Sequence, residues 1–492
     1  MPREIPHAIR QKTLDILRER FKPADVDIDS AVYLSEPERR NVLIRITLTS
    51  ASELVPKSII LKQVLPQAAD ADDKQAQARF SRDWAGLEFT SGVQESAPIH
   101  NTPIFYGSDT TQRFILIEDL GHPHVSLVDS LLLHNGNKAI SALERYMKTL
   151  GSFNASSVGL TDEYELILKK INNEATTSDE DLALTSEYLL PKLYPSIESL
   201  SLPVSEAFTD EVKQVLDSIF KPGPFTVLTH GDIAPDNVFD HEGPEGLQLI
   251  DFEWCAPRNA LLDGTYLRMS IPTGWCAKAI PDDVLKPLEQ IYRAELEKTI
   301  PEAKDDLTYS TAYTHACAYH VLHQMANLRD ILDKDVKWGG PPMPQYPMWD
   351  PTTNSSRSRL LSRLQAFVDV ATEHDTLHPG QPTILPILRK MAEDMLVKVK
   401  ARWGEDAKPL DVYPAFKQDS LQLAQTQHAD GTDVPSTDLA ASPKQKTERY
   451  KDRMHEIRHP EPRYMAPTKS SQAKEREKYS PFKTTPKPPW KP

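Results

Sequence analysis

Cysteine is scarce: Cys255, Cys276 and Cys317 are the only three in 492 residues, far apart and without a C-x-x-C pair. That spacing excludes a disulfide framework and a zinc ribbon, and all three read as buried or incidental thiols. No apolar run approaches the ~18 residues of a membrane span, and Met1 to Arg10 carries no signal-peptide hydrophobic stretch. A cytoplasmic location without membrane contact is expected. Positive charge is also short, because the net charge is −14. Residues 441–492 hold 14 Lys/Arg against 6 Asp/Glu, which leaves the first 440 residues at −22. An acidic body repels nucleic acid and anionic membrane and could attract a cationic substrate, although a solvated acidic surface fits the same numbers.

What is present is enough apolar material for a core, 39% of the chain. The length suggests more than one folding unit, since single cores stop growing at roughly 250–300 residues. Pro6 to Phe21 carries Ile9, Ile16, Leu17 and Phe21 near helical spacing, which predicts a short amphipathic helix. Val42 to Leu48 and Ser58 to Lys62 read as neighbouring antiparallel strands. Asp70 to Ser91 turns helical around Phe80, Trp84 and Leu87, and two more strands follow at Ile104 to Tyr106 and Phe114 to Glu118. Ile140, Leu143, Met147 and Leu150 then predict a helix of a second, mainly helical lobe. Residues 160–204 are polar and read as helical or irregular, while the Pro-rich 338–351 reads as a loop or surface lid. Beyond about 418 apolar periodicity stops, and a disordered tail rich in Lys and Pro is expected.

The chemistry concentrates in Val227 to Phe239 (VLTHGDIAPDNVF) and Leu247 to Glu253 (LQLIDFE). Each polar group follows or precedes a short apolar strand, so it can be held rigidly at a cleft edge. Phosphoryl transfer needs such preorganisation: an acceptor for a hydroxyl proton and oxygen ligands for magnesium. Asp232 supplies the first, while Asn237 and Asp251 supply hard oxygen ligands for the second.

The spacing H-G-D-x-x-x-x-N followed by D-F-E resembles the aminoglycoside phosphotransferase and choline kinase-like superfamily, which shares the protein-kinase fold. The resemblance covers roughly residues 30–415. It implies an α+β, two-lobed architecture with a small antiparallel-sheet lobe (1–120), a mainly helical catalytic and substrate lobe (121–417) and a disordered basic tail (418–492). It also implies ATP and Mg2+ as cofactors. Lys62 looks like the strand lysine that contacts the α- and β-phosphates. Its carboxylate partner is expected on the next helix: Asp83 fits the usual position and Glu88 has the commoner side chain. Phe114 to Gly121 resembles the interlobe hinge, where the backbone around Glu118 and Leu120 would read adenine. Ser35 and Asn41 stand where the phosphate-loop contacts would be.

A protein kinase has Arg in place of Gly231, Lys in place of Ala234 and Gly in place of Glu253, with a long regulatory segment after it. Their absence points to a small hydroxylated acceptor, aminoglycoside-, amino-alcohol- or sugar-like. The alternative is a catalytically silent pseudokinase that meets a protein partner through its tail. Lys62, Asp232, Asn237 and Asp251 together favour the enzyme. His455 to His459 (HEIRH) matches a zinc-protease pattern but lacks an apolar helical face and runs into Pro460. His315, His320 and His323 read as core or polar-face histidines of one helix, and Asp263 reads as a helix cap.

Overall fold

The computed structural model describes residues 4–35, 41–66, 70–95, 101–121, 125–242, 246–337, 346–347, 349–406 and 408–417. Helix α1 (His7–Arg20) precedes strands β1 (Asp27–Tyr33), β2 (Asn41–Thr49) and β3 (Ser58–Val64), helix α2 (Asp70–Glu95), and strands β4 (Phe105–Asp109) and β5 (Phe114–Glu118). The five strands form one antiparallel sheet in the order β1-β2-β3-β5-β4.

Strand alternation decides which side chains meet which layer. Val42, Ile44, Ile46 and Leu48 of β2, Ile59 and Leu61 of β3, and Phe114 and Leu116 of β5 all join Ile9, Leu14 and Leu17 of α1 in a small core. Ile115 and Val64 belong instead to a larger core with Phe80, Ala85, Leu87 and Phe89 of α2. α2 therefore packs with the rest of the molecule, on the face of the sheet opposite α1.

Beyond Gly121 come β6 (Val125–Ser126), α3 (Leu127–Leu132), α4 (Gly136–Ser156), α5 (Thr161–Ile171), α6 (Ser178–Glu198) and α7 (Glu206–Phe220). Short strands β7 (Thr226–Thr229), β8 (Val238–Asp240), β9 (Leu247–Leu249) and β10 (Ala256–Asn259) follow. They pair as β10-β7 and β6-β8-β9, all antiparallel. The chain continues through α8 (Leu261–Gly264), α9 (Asp282–Leu296), α10 (Asp306–Ala326), α11 (Leu328–Asp333), α12 (Ser356–Leu377) and α13 (Pro386–Trp403).

The expected strands and the α1, α2 and α4 helices are present, and 160–204 resolves into α5 and α6. β1 was not expected, because its side chains are mostly exposed or half-buried and carry no alternation. The three cysteines are free and buried. Residues 338–345, the histidine pair at 455 and 459, and the whole tail from 418 lie outside the described residues. Among the described residues no helix is long and apolar enough to cross a membrane.

Candidate active site

β7 delivers its last residue to a loop fixed from below by one carboxylate. Asp263 is fully buried. Its Oδ2 accepts the His230 N–H at 2.7 Å and the Asn154 amide at 3.2 Å, and its Oδ1 accepts the Gly231 N–H at 3.1 Å. The expected helix-capping role of Asp263 is thereby corrected: α8 has no side-chain cap, and the carboxylate serves the loop. His230 is also buried. Its Nε2 lies 2.9 Å from the Ile250 carbonyl while Nδ1 accepts the Asp232 N–H at 3.3 Å, a pattern that assigns the proton to Nε2.

Gly231 is required where it stands. Its φ is +77°, and a Cβ there would lie 2.3 Å from Arg258 Nη2 and 2.5 Å from the Trp254 carbonyl. Arg258, entering from β10, donates to Thr229 Oγ1 at 2.9 Å and to the Trp254 carbonyl at 2.8 Å. It thereby ties the end of β7 to the segment after Asp251.

Asp232 is 5% exposed, so a carboxylate at the loop's tip sits in largely water-free surroundings. Asn237 Nδ2 donates to the Asp232 carbonyl at 2.7 Å, which fixes the orientation of the amide. The Ile250 N–H donates to the Asn237 carbonyl at 3.0 Å and so fixes the offset between that loop and Asp251. Asp251 has φ +71°, a left-handed conformation uncommon for a residue with a Cβ and frequent at functional positions.

Lys62 comes from the middle strand of the sheet, beside Ile115 in register, so it faces α2 and not α1. Its Nζ lies 2.7 Å from Asp83 Oδ2 and 2.6 Å from Asp251 Oδ1. One sheet lysine thus joins a helix carboxylate to a carboxylate of the other lobe. The five-stranded antiparallel sheet and the mainly helical remainder of the chain meet at this lysine.

Burial alone would push the Lys62 ammonium down, but Asp251, Asp83 and Glu253 outweigh it and hold the proton well above its ordinary range. Burial pushes the Asp83 carboxyl up, against the pull of Lys62. Asp83 Oδ1 accepts the Phe252 N–H at 2.9 Å, so the same side chain reads both the lysine and the D-F-E backbone. α2 is locked further: a Cβ on Gly86 would lie 2.8 Å from Cys255 Sγ and 2.9 Å from Phe252 Cβ. Glu88, the other expected partner, instead accepts the Trp84 indole N–H at 2.6 Å.

At the end of β5, the Glu118 N–H donates to the Ile104 carbonyl at 2.9 Å and its carboxylate accepts the Ile104 N–H at 3.1 Å. Leu120 follows at the exit of β5. Between them Asp119 accepts from Arg45 at 2.6 and 2.9 Å, from Ser58 at 2.7 Å and from the Gly121 N–H at 3.1 Å. Against the upward push of burial, these donors hold its carboxyl below the usual range. Ser35 Oγ accepts the Leu43 N–H at 2.9 Å, and Asn41 opens β2.

His315, His320 and His323 are buried in α10, and no cluster of three or more His, Cys, Asp or Glu suited to a metal ion occurs among the described residues. Asn237 and Asp251 fit a different kind of ion. Magnesium keeps waters and substrate phosphates in its shell and takes only one or two protein oxygens, a donor set that an Asn amide and an Asp carboxylate can supply.

No protein-family model and no curated protein matches the chain. Solved structures similar to it include an ethanolamine kinase of Plasmodium vivax, 13% identical, with a TM-score of 0.37 over 76% of this chain and 86% of that one. A choline kinase of Streptococcus pneumoniae is 12% identical, TM-score 0.37, over 74% and 98%. An amicoumacin kinase in complex with AMP-PNP, Ca2+ and its ligand is 12% identical, TM-score 0.34, over 85% and 97%. Identity at this level does not carry an activity across.

Proposed function

We propose that the protein is an ATP-dependent phosphotransferase that moves the γ-phosphoryl group to a hydroxyl of a small molecule. The observation that carries this reading is the convergence of Lys62 on Asp83 and Asp251 at 2.7 and 2.6 Å, next to a loop that presents Asp232. A lysine held charged between two carboxylates is preorganised for phosphate oxygens, and preorganised charge is the main catalytic need of this chemistry.

In this reading residues 1–120 form the nucleotide lobe, 121–417 the catalytic and substrate lobe, and 418–492 a tail open to a protein partner. The backbone around Glu118 and Leu120 reads the adenine edge. Lys62 pairs with the α- and β-phosphates and Asp83 keeps it aimed. Asn237 and Asp251 would hold the metal, which when bound would neutralise charge on the phosphate oxygens. Asp232 accepts the acceptor's hydroxyl proton as that oxygen bonds to the γ-phosphorus, the bridging P–O bond breaks and ADP leaves. The acceptor class is aminoglycoside-, amino-alcohol- or sugar-like.

The test is phosphorus NMR of the protein with Mg-ATP and a panel of ethanolamine, glycerol, glucose and kanamycin. A phosphomonoester is expected from the wild type. Asp232→Asn should lower its formation by about 10²- to 10⁴-fold, the usual value of a general base. ATP affinity should stay within about twofold, because Asp232 faces the acceptor. Equal turnover in the variant would remove Asp232 as the base. Tight ATP binding with no product from any panel member would favour the silent nucleotide-binding reading.

A further inference from the structure

Two arginines outside this scheme occupy an unusual place. Arg359 and Arg363, one turn apart on α12, are both 0% exposed. Arg359 Nη2 donates to the Gly274 carbonyl at 2.9 Å and the Trp275 carbonyl at 3.2 Å, and its Nε donates to Asn354 Oδ1 at 3.0 Å. The Asn354 amide in turn donates to the Trp275 carbonyl at 2.6 Å. Arg363 Nε donates to the Met269 carbonyl at 3.0 Å, while its Nη2 lies 3.2 Å from the Pro272 carbonyl, 3.4 Å from that of Ile271 and 3.5 Å from that of Ser270.

The two guanidinium groups therefore gather nearly every carbonyl of the turn 269–275. That turn is strained: Ser270 and Ile271 have φ +53° and +49°, and a β-branched residue rarely adopts this region. Guanidinium suits the task because its five donors form a fixed fork, whereas an ammonium is a point charge.

The turn so held abuts the loop that carries Asp232. A Cβ on Gly274 would lie 3.6 Å from Ala234 Cβ, two residues past the base. Thr273 Oγ1 is 2.9 Å from Tyr266 OH, which reaches the Gly231 carbonyl at 3.4 Å. Burial and the Asp232 charge both push the Tyr266 phenol well up, so it stays a neutral tether. On the turn's far side Trp275 meets Trp349 edge to face at 5.5 Å.

We propose that Arg359 and Arg363 are positioning residues for the phosphoryl acceptor: they hold the 269–275 turn against the Asp232 loop as the wall on which the acceptor lies. The inference rests on the phosphotransferase reading. It predicts that loosening the turn displaces the acceptor while leaving the nucleotide in place.

The experiment uses Arg363→Lys, Arg363→Met and Tyr266→Phe with whichever of ethanolamine, glycerol, glucose or kanamycin the wild type phosphorylates. Arg363→Lys should raise the acceptor KM about tenfold and Tyr266→Phe should move it the same way, since small misplacements near the reacting atoms carry large penalties. The KM for Mg-ATP should stay within about twofold in both. Arg363→Met should raise the acceptor KM further; if it fails to fold, the other two variants carry the test. A role in stability alone reduces the amount of folded enzyme, which lowers turnover at an unchanged acceptor KM, and that result overturns the proposal. Absence of product from the wild type with all four compounds brings down the phosphotransferase reading, and the positioning role with it.

Discussion

Replacing Asp263 by Asn changes one atom's chemistry at constant size and isolates what holds the Asp232 loop. In the wild type Oδ2 accepts from His230 N and the Asn154 amide, and Oδ1 accepts from Gly231 N. An asparagine must turn its NH2 toward one of these positions. The better orientation sets it against the Gly231 N–H, leaving that part-buried donor without an acceptor at a cost of about 1 kcal/mol or more. The two remaining bonds become neutral ones, each weaker by roughly 1 kcal/mol. Relief from burying a charge offsets part of this, so the net expected loss is about 3 kcal/mol. Urea unfolding followed by tryptophan fluorescence measures it. Turnover should fall as well, because the loop that aims Asp232 loses its anchor. Unfolding within about 0.5 kcal/mol of wild type, the range of an ordinary surface change, together with unchanged turnover would refute the anchoring role.

Asp251→Ala should weaken Mg-ATP binding by at least about tenfold, or 1.4 kcal/mol, by removing the metal's anionic ligand; equal affinities by titration calorimetry would exclude that role. Acid should destabilise the fold through His315, whose imidazole is pushed down from 6.5 to about 4 by burial and by His374. A depressed folded value means the unfolded chain binds the proton more readily. This contribution is therefore complete above about pH 6.5 and is lost as pH falls toward 4, worth about 3 kcal/mol at 1.36 kcal/mol per unit. His315→Gln should flatten the urea-unfolding profile in that window, and parallel curves for the two proteins would contradict the assignment.

The loop that carries Asp232 was legible as a local feature of the sequence. Asp232, Asn237 and Asp251 lie within a short stretch whose flanking aliphatic strands announce themselves. Lys62 was legible because a strand lysine precedes a helix in a recognisable order. The choice between Asp83 and Glu88 was not: five residues along a helix turn it through roughly 140°, so only one can face the sheet, and which one depends on how α2 docks. Trp84 settles Glu88's fate by hydrogen-bonding it. Arg359 and Arg363 escaped assignment, and Asp263 was read as a helix cap, for a related reason. Their partners are distant in the chain, with Arg359 and Gly274 separated by 85 positions, so no spacing marks them. An arginine on a helix normally signals solvent, and nothing local distinguishes one that is fully buried. Residues 160–204 stayed ambiguous because α6 contains Pro191 and Pro195 within its helical span.

The division of the apolar core has a practical side. Because Phe80, Ala85, Leu87 and Phe89 of α2 are buried in the larger core, a fragment cut at residue 120 would carry a helix that keeps only its sheet contacts, such as those with Val64 and Ile115. Each of the three larger side chains exposed this way forfeits roughly 1.5–3 kcal/mol. The sheet with α1, by contrast, keeps a core of its own. The 2.7 Å contact of Lys62 with Asp83 therefore joins the sheet to a helix whose core belongs mostly to the rest of the molecule, so a label pair on β3 and α2 would report whether the two part company.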